Sequence, residues 1–144
     1  MPFVTEGVQL FSKRIAKYYN FEYIEVANNK IKSTNGEIVK EEESKLLLPY
    51  FEESGWHILL DEKGKNFNSV AFANQLQSWM NLSHKNIHFY VGGAFGFSEK
   101  VYQKANFTLR LSAMTFSHQL IRLIFVEQMY RAVSIIHRLP YHNS

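Results

Sequence analysis

The 144-residue chain contains no cysteine, which excludes disulfide cross-links, thiolate zinc sites and a cysteine nucleophile. It also lacks an apolar run close to the roughly 20 residues that cross a bilayer, and its first residues lack the charged-then-apolar pattern of a signal peptide. With 46% hydrophobic residues, it has the material for a buried core. Together these features predict one soluble, cytoplasmic domain over residues 1–144.

The net charge of +3 is unevenly distributed along the chain. Residues 99–144 contain six Lys or Arg against two Glu, with three His besides. This asymmetry permits a phosphate-bearing partner, but the surface lysines of any small domain can produce it as well.

Hydrophobic periodicity predicts helices that alternate with short strands. The predicted helices cover residues 3–18, 37–51, 70–82 with a Ser69 cap and 99–105 with a Ser98 cap, and a last helix runs from a Ser117 cap to about residue 137. The predicted strands cover residues 21–26, 56–60, 87–91 and 107–111, with a loop over residues 28–36 and a turn over residues 61–64. Strands separated by long helices indicate an α/β domain with a mostly parallel sheet and helices on both faces.

Ligands collect at the carboxyl ends of the strands in an open parallel sheet, and three loops follow such ends here. The most informative loop is Gly92-Gly93-Ala94-Phe95-Gly96-Phe97, with three glycines in five residues beside two aromatic side chains. Bare backbone next to aromatic rings suits a planar ring bound through backbone groups, although a tight turn that needs positive φ explains the glycines equally well. The loop matches neither a dinucleotide-binding loop nor a P-loop.

The last predicted helix is apolar around nearly its whole circumference, which indicates burial on all sides, and in so small a domain a second subunit could provide it. Its polar stripe consists of Glu127, Arg131, Ser134 and Arg138. Glu127 and Arg131 could form a plain i,i+4 helix pair. The cost of an arginine in so apolar a helix favours instead an arginine at the rim of a ligand pocket.

The histidines do not form a recognisable metal-binding pattern. His84 and His88 are four residues apart, but a strand is predicted from residue 87, so the helical face on which that spacing would matter is broken. No metal site is therefore predicted. A hydrolase is also disfavoured, because no G-x-S-x-G motif is present.

Four segments taken in order resemble one known family. They are the glycine loop, the run Leu111-Ser112-Ala113-Met114-Thr115-Phe116-Ser117-His118-Gln119, the helical segment Glu127-Gln128-Met129-Tyr130-Arg131-Ala132, and the tail Pro140-Tyr141-His142. Together they resemble the ribosomal RNA large subunit methyltransferase H family of the SPOUT class, over essentially the whole chain.

The resemblance implies a fold and a cofactor. It implies a C-terminal deep trefoil knot, S-adenosyl-L-methionine as the methyl donor, S-adenosyl-L-homocysteine as the product, and a homodimer with the cofactor site near its interface. Carried over to this chain, the cofactor-binding positions are Leu60, Gly92, Leu111, Ser112, Ala113, Met114, Thr115 and Phe116.

The resemblance also implies a substrate, which is N3 of a pseudouridine in 23S ribosomal RNA within assembled ribosomes. Arg131 matches an arginine that orients the target base and, in our hypothesis, stabilises the imide anion that develops there. His142 is the hypothetical proton acceptor, since Arg is a poor base. Tyr141, His142 and Arg138 are the expected RNA contacts.

Two departures from the family pattern leave alternatives open. Relatives begin with an apolar strand, whereas this chain starts almost at the first helix, so an N-terminal strand is expected to be missing. Relatives often have a basic residue after Pro-Tyr-His, where this chain has Asn143-Ser144. The alternatives are a SPOUT methyltransferase that acts on tRNA or another rRNA site, and a non-catalytic ribosome- or RNA-binding relative.

Overall fold

A computed structural model describes residues 1–27, 30–82 and 86–143. Five helices and three strands lie in these ranges. In chain order they are α1 (Pro2–Ala16), α2 (Gly36–Phe51), β1 (Trp56–Asn66), α3 (Ser69–Asn81), β2 (Ile87–Val91), α4 (Glu99–Lys104), β3 (Phe107–Arg110) and α5 (Leu120–Ile136). The predicted α/β class is confirmed. None of the helices in the described ranges combines the length and apolarity needed to span a bilayer.

The three strands form one parallel sheet in the order β2-β1-β3. In the central strand, Ile58 and Leu59 are fully buried. Leu60 lies opposite Val91 on one side and Leu109 on the other, so all three strands reach the same edge together. Short apolar runs bounded by turn residues were enough to predict these three strands.

The strand predicted over residues 21–26 is wrong, because the structure gives these residues no regular secondary structure. Tyr23 and Ile24, neighbours in sequence, are 38% and 51% exposed, so the alternating pattern does not bury one face. A strand also needs a partner to complete its backbone hydrogen bonds, and alternation alone supplies none. Of the loop predicted over residues 28–36, residues 28 and 29 lie outside the described ranges.

The turn predicted over residues 61–64 is instead part of β1, which continues to Asn66. The register with β3 shifts here, since Leu60 and Lys65 both lie opposite Leu109. Gly64 allows the strand to return to β3, because a Cβ there would lie 2.6 Å from backbone atoms of Thr108 and Leu109. The four intervening residues therefore form a bulge rather than a strand-ending turn.

Side-chain caps set the starts of α2, α3 and α4. Asn35 caps α2 by accepting hydrogen bonds from the amides of Glu37 and Ile38. Asn68, rather than the predicted Ser69, caps α3. Ser98 caps α4 as predicted, and the Ser117 hydroxyl accepts from the Leu120 amide at the start of α5.

The chain forms two compact units. The first comprises Met1–Tyr23, Phe67–Leu82 and Met114–Ser144, and in it α5 packs against both α1 and α3. The packing is close at Gly7, where a Cβ would lie 2.5 Å from Leu123 Cδ1. Val4, Val8 and Ile15 are the buried residues of α1.

The second unit comprises Ile24–Asn66 and Ser83–Ala113, and it contains the sheet with α2 and α4. Its core is built on Leu59, with Phe51 and Tyr90 stacked at 4.2 Å between ring centroids. Phe97 and Val101 complete this cluster. Each fully buried side chain of this kind contributes about 1.5–3 kcal/mol.

A buried histidine lies at the amino-terminal end of the sheet. Nε2 of His57 donates to the Glu53 carbonyl at 2.9 Å, so Nδ1 accepts from the Tyr90 hydroxyl at 2.7 Å in the neutral ring. Burial lowers the pKa of His57, the carbonyl of Glu53 opposes this, and the stacked ring of His88 adds to the lowering. Burial also raises the pKa of Tyr90, which keeps the phenol as the donor.

We expect this arrangement to make the stability of the fold depend on pH. Because the pKa of His57 is lower in the folded chain, the unfolded chain binds the proton first as the pH falls. The free energy of unfolding should have its full value above about pH 6.5. Below that pH it should decline, by at most about 1.4 kcal/mol per pH unit for this one proton. Denaturant unfolding at several pH values measures this slope.

His57→Gln keeps a donor for the Glu53 carbonyl but does not titrate, so it should flatten the slope. His118→Gln, at an exposed position, is the matched control and should leave it unchanged. Equal slopes in the wild-type chain and His57→Gln would contradict the assignment.

Candidate active site

The carboxyl edge of the sheet brings together three of the predicted cofactor positions. Leu60 lies directly opposite Val91 and Leu109. Gly92 follows Val91, and Leu111 lies two residues after Leu109. Leu60, Gly92 and Leu111 therefore lie at neighbouring strand ends, where an open parallel sheet binds ligands.

The glycine loop after β2 folds back on itself. The Gly96 amide donates to the Gly93 carbonyl at 3.2 Å, and Gly96 adopts a φ of +81°, which favours glycine. A Cβ on Gly92 would lie 3.1 Å from Cζ of Phe97. Phe97 is only 3% exposed and is therefore a core residue that supports Gly92, whereas Phe95 is 51% exposed.

Two side chains of helix α2 contact this loop and its end. The buried Ser44 hydroxyl accepts a hydrogen bond from the Ser98 amide at 2.9 Å. The carboxylate of Glu43 lies against Gly93, where a Cβ would come within 2.7 Å of both oxygens. Sequence reasoning missed Ser44 and Glu43, since a charged helix gives no sign of which residues face a distant loop.

Asp61, at the same edge of the sheet, is held in place by Tyr102. The Tyr102 hydroxyl donates to its carboxylate at 2.5 Å, and the Lys63 amide donates to the same group at 2.9 Å. Burial and this hydrogen bond to Asp61 raise the pKa of Tyr102, so the phenol remains a donor. Asp61 therefore places a fixed negative charge beside the glycine loop, with Oδ2 3.9 Å from a Cβ built on Gly96.

The segment after β3 is shaped by Arg110, whose guanidinium donates to the carbonyls of Ser112 at 3.2 Å and Ala113 at 3.4 Å. Through these hydrogen bonds, the backbone at the start of the predicted cofactor segment bends around the side chain of Arg110 in β3. The rest of that segment belongs to the first unit, in which Met114 is 75% exposed, Thr115 is exposed and Phe116 is half-buried.

A second group of predicted residues, from α5 and the C-terminal tail, comes together around Glu127. One oxygen, Oε1, accepts from Arg131 Nη2 at 2.7 Å, Arg131 Nε at 3.2 Å and the Tyr141 hydroxyl at 2.9 Å. The other, Oε2, accepts from Gln128. Arg131 and Glu127 are only 25% and 20% exposed, so the pair is shielded from water. We call Glu127, Arg131, Tyr141 and His142 the tail site.

The guanidinium of Arg131 also contacts the C-terminal tail. Its Nη1 lies 3.0 Å from Nδ1 of His142, and its Cζ lies 4.8 Å from the centroid of the Tyr141 ring. Because a guanidinium only donates, His142 Nδ1 accepts, and the neutral ring carries its hydrogen on Nε2. Burial and the hydrogen bond to Glu127 raise the pKa of Tyr141, whereas the charges of Arg131 and Arg14 oppose this.

The tail reaches these partners because the chain reverses directly after α5. The Leu139 amide donates to the Ser134 carbonyl at 2.8 Å, and the Arg138 amide donates to the Ile135 carbonyl at 3.2 Å. This is the Schellman pattern, which usually has glycine at the position that Arg138 occupies with a φ of +57°. The predicted RNA contact Arg138 is thus exposed on a strained reversal.

Among the residues that the structure describes, no three His, Asp or Glu side chains come together as metal ligands. Nε2 of His88 donates to the Ser54 carbonyl at 3.2 Å, at the amino-terminal end of the sheet. His84, its neighbour in the rejected metal pattern, lies outside the described residues.

Comparison with known proteins identifies the family. A family model described as predicted SPOUT methyltransferase matches residues 1–142. Relatives named ribosomal RNA large subunit methyltransferase H include the protein of Cytophaga hutchinsonii, 42% identical over 98% of this chain and 91% of its own. The protein of Bacteroides thetaiotaomicron with this name is 48% identical over 78% of this chain and 71% of its own. That of Clostridium botulinum is 38% identical over 98% of this chain and 91% of its own. The chain therefore belongs to the ribosomal RNA large subunit methyltransferase H family of the SPOUT methyltransferases.

Proposed function

We propose that this chain transfers a methyl group from S-adenosylmethionine to N3 of a pseudouridine in 23S ribosomal RNA, within assembled ribosomes. The names of its relatives support an rRNA substrate. The observation that carries the proposal is the tail site, where Arg131, Tyr141 and His142 converge on Glu127. We further propose that the chain acts in the cytoplasm as one domain with a C-terminal trefoil knot, and as a homodimer.

The edge of the sheet fits the cofactor. Leu60, Gly92 and Leu111 offer backbone groups side by side at neighbouring strand ends. When bound, S-adenosylmethionine supplies a methyl group activated by a sulfonium. The carboxylates of Asp61 and Glu43 suit a positively charged ligand there, and Ser112 and Ala113, which follow Leu111 in the same unit, would extend the site.

At the tail site, Arg131 binds and aligns the target uracil ring. N3 of the ring must lose its proton before its electron pair can attack, and the resulting imide anion is stabilised by the Arg131 guanidinium. Glu127 keeps that guanidinium in one orientation by accepting two of its N–H groups. A guanidinium fixed before the reaction need not reorganise as negative charge develops.

The tautomer of His142 constrains its part in the reaction. While Nδ1 accepts from Arg131 and Nε2 carries hydrogen, neither nitrogen can take a proton. We therefore propose that a carbonyl of the uracil ring takes the place of His142 at Arg131 Nη1, while Glu127 keeps the guanidinium in its position. This releases Nδ1, which accepts the N3 proton.

We expect the wild-type chain to methylate ribosomes and to leave tRNA and an isolated RNA hairpin largely unmodified, as measured by transfer of a radiolabelled methyl group. Arg131→Lys should lower the rate on ribosomes by on the order of 100-fold, because a lysine cannot reproduce the two-pronged contact with Glu127. Arg122→Lys, nine residues earlier on the same helix, is the control. Preferential methylation of tRNA would replace the proposed substrate.

We expect calorimetric titration to show binding of S-adenosylmethionine and S-adenosylhomocysteine, and Gly92→Val to abolish it. The added side chain would press on the Phe97 ring and fill the space beside the strand end. Ala94→Val, at an exposed position two residues along, is the matched control and should bind like the wild-type chain. Absence of binding to the folded wild-type chain would indicate an RNA-binding protein without methyltransferase activity.

His142→Gln tests the proton acceptor, since its amide oxygen can still accept from Arg131 but cannot take up a proton at neutral pH. We expect kcat on ribosomes to fall by about 100-fold or more, with loss of the decline in rate at acid pH. Cofactor binding should not change. Full activity of His142→Gln with an unaltered pH profile would assign His142 to positioning alone.

A further inference from the structure

Arg14 on α1 lies against the aromatic residues next to the tail site. Its Cζ is 5.5 Å from the centroid of the Phe11 ring and 5.6 Å from that of Tyr130. Tyr130 packs edge-on against Tyr141 at 4.8 Å, and Phe11 lies 6.4 Å from the same ring. Arg14 and Arg131 thus contact one cluster of three rings, and we call Phe11, Tyr130 and Tyr141 the aromatic cluster.

The two arginines differ in how their charge is balanced. Arg131 forms an ion pair with Glu127. Arg14 is half-buried and contacts the rings of Phe11 and Tyr130. Within the described part of the chain, no carboxylate forms an ion pair with it. The tail site with Arg14 therefore has one net positive charge when His142 is neutral, and this charge belongs to Arg14.

Contact with ring faces fixes Arg14 without using its hydrogen-bond donors. A guanidinium has five N–H donors at its edges, and cation–π contacts engage its charge rather than these groups. Two parallel N–H donors match the oxygens of a phosphate, which is why arginine recurs where phosphates are bound. An arginine that is oriented by aromatic rings and has no carboxylate partner is suited to such an anion.

We propose that Arg14 binds a backbone phosphate of the RNA beside the base that Arg131 orients. The inference rests on the proposed RNA substrate and adds a residue that lies outside the four segments in which the chain resembles the family. Its charge reaches the tail site, since Arg14 lies close enough to Tyr141 to oppose the rise in the pKa of that phenol.

The test is the salt dependence of RNA binding. A fluorescently labelled RNA hairpin that contains the proposed target pseudouridine of 23S ribosomal RNA is titrated with the full chain at several salt concentrations. The logarithm of the binding constant is plotted against the logarithm of the salt concentration. Arg14→Gln keeps a polar side chain of similar length but removes the charge. We expect it to lower the slope by about 0.7–1 and the affinity at low salt by roughly 3- to 10-fold.

Lys13→Gln is the matched control, because Lys13 is the neighbouring cation on the same helix and is exposed. It should change the slope by less than half as much. A slope that is unchanged in Arg14→Gln, or lowered equally by both variants, would overturn the proposal and leave Arg14 with a structural role.

Two further measurements keep the outcome interpretable. On ribosomes, Arg14→Gln should raise KM with little effect on kcat, and its affinity for S-adenosylmethionine should match that of the wild-type chain. If Arg14→Gln does not fold, Arg14→Lys replaces it. This variant should keep the salt slope but bind the hairpin roughly 2- to 5-fold more weakly than the wild-type chain. Unchanged affinity would overturn the proposal. A wild-type chain that binds the hairpin but methylates no RNA would contradict the proposed function and not the phosphate contact.

Discussion

The ion pair between Glu127 and Arg131 is the interaction on which the tail site depends. Its contribution to folding stability is modest, because shielding from water costs each charge some solvation. Its effect on geometry is larger, since Oε1 of Glu127 accepts from both the guanidinium and the Tyr141 hydroxyl. Through Gln128, which accepts a hydrogen bond from Ser69, the same carboxylate is linked to the start of α3. One carboxylate therefore orients an arginine, holds the tail and joins two helices.

The chain reversal after α5 makes those contacts possible at a cost in backbone strain. A non-glycine residue in the left-handed region costs about 1–2 kcal/mol, and Arg138 occupies that region at a position where glycine is usual. The hydrogen bonds of Tyr141 to Glu127 and of His142 to Arg131 offset this strain. An arginine at a strained position is easier to understand if its exposed charge has a use, which agrees with its proposed contact with RNA.

Sequence reasoning predicted the local features and missed those that depend on distant partners. The strands at residues 56–60 and 87–91 could be predicted because a buried strand is a short apolar run between turns. The segment at residues 21–26 has a strand-like pattern, yet the structure gives it no regular secondary structure, and the bulge in β1 depends on β3. Arg131, Tyr141 and His142 came from the family resemblance, whereas Arg14 lies 127 positions from Tyr141 and no local pattern links the two.

The aromatic cluster explains how two arginines near each other can have different tasks. An arginine paired with a carboxylate is held firmly but adds no net charge, so Arg131 is suited to aligning a ring and meeting an anion that develops during the reaction. An arginine held by ring faces keeps its charge, so Arg14 is suited to attracting a permanent anion. If carboxylates held both, the site would have no net positive charge with which to attract an anion. If rings held both, Arg131 would lack the two hydrogen bonds to Glu127 that fix the plane of its guanidinium.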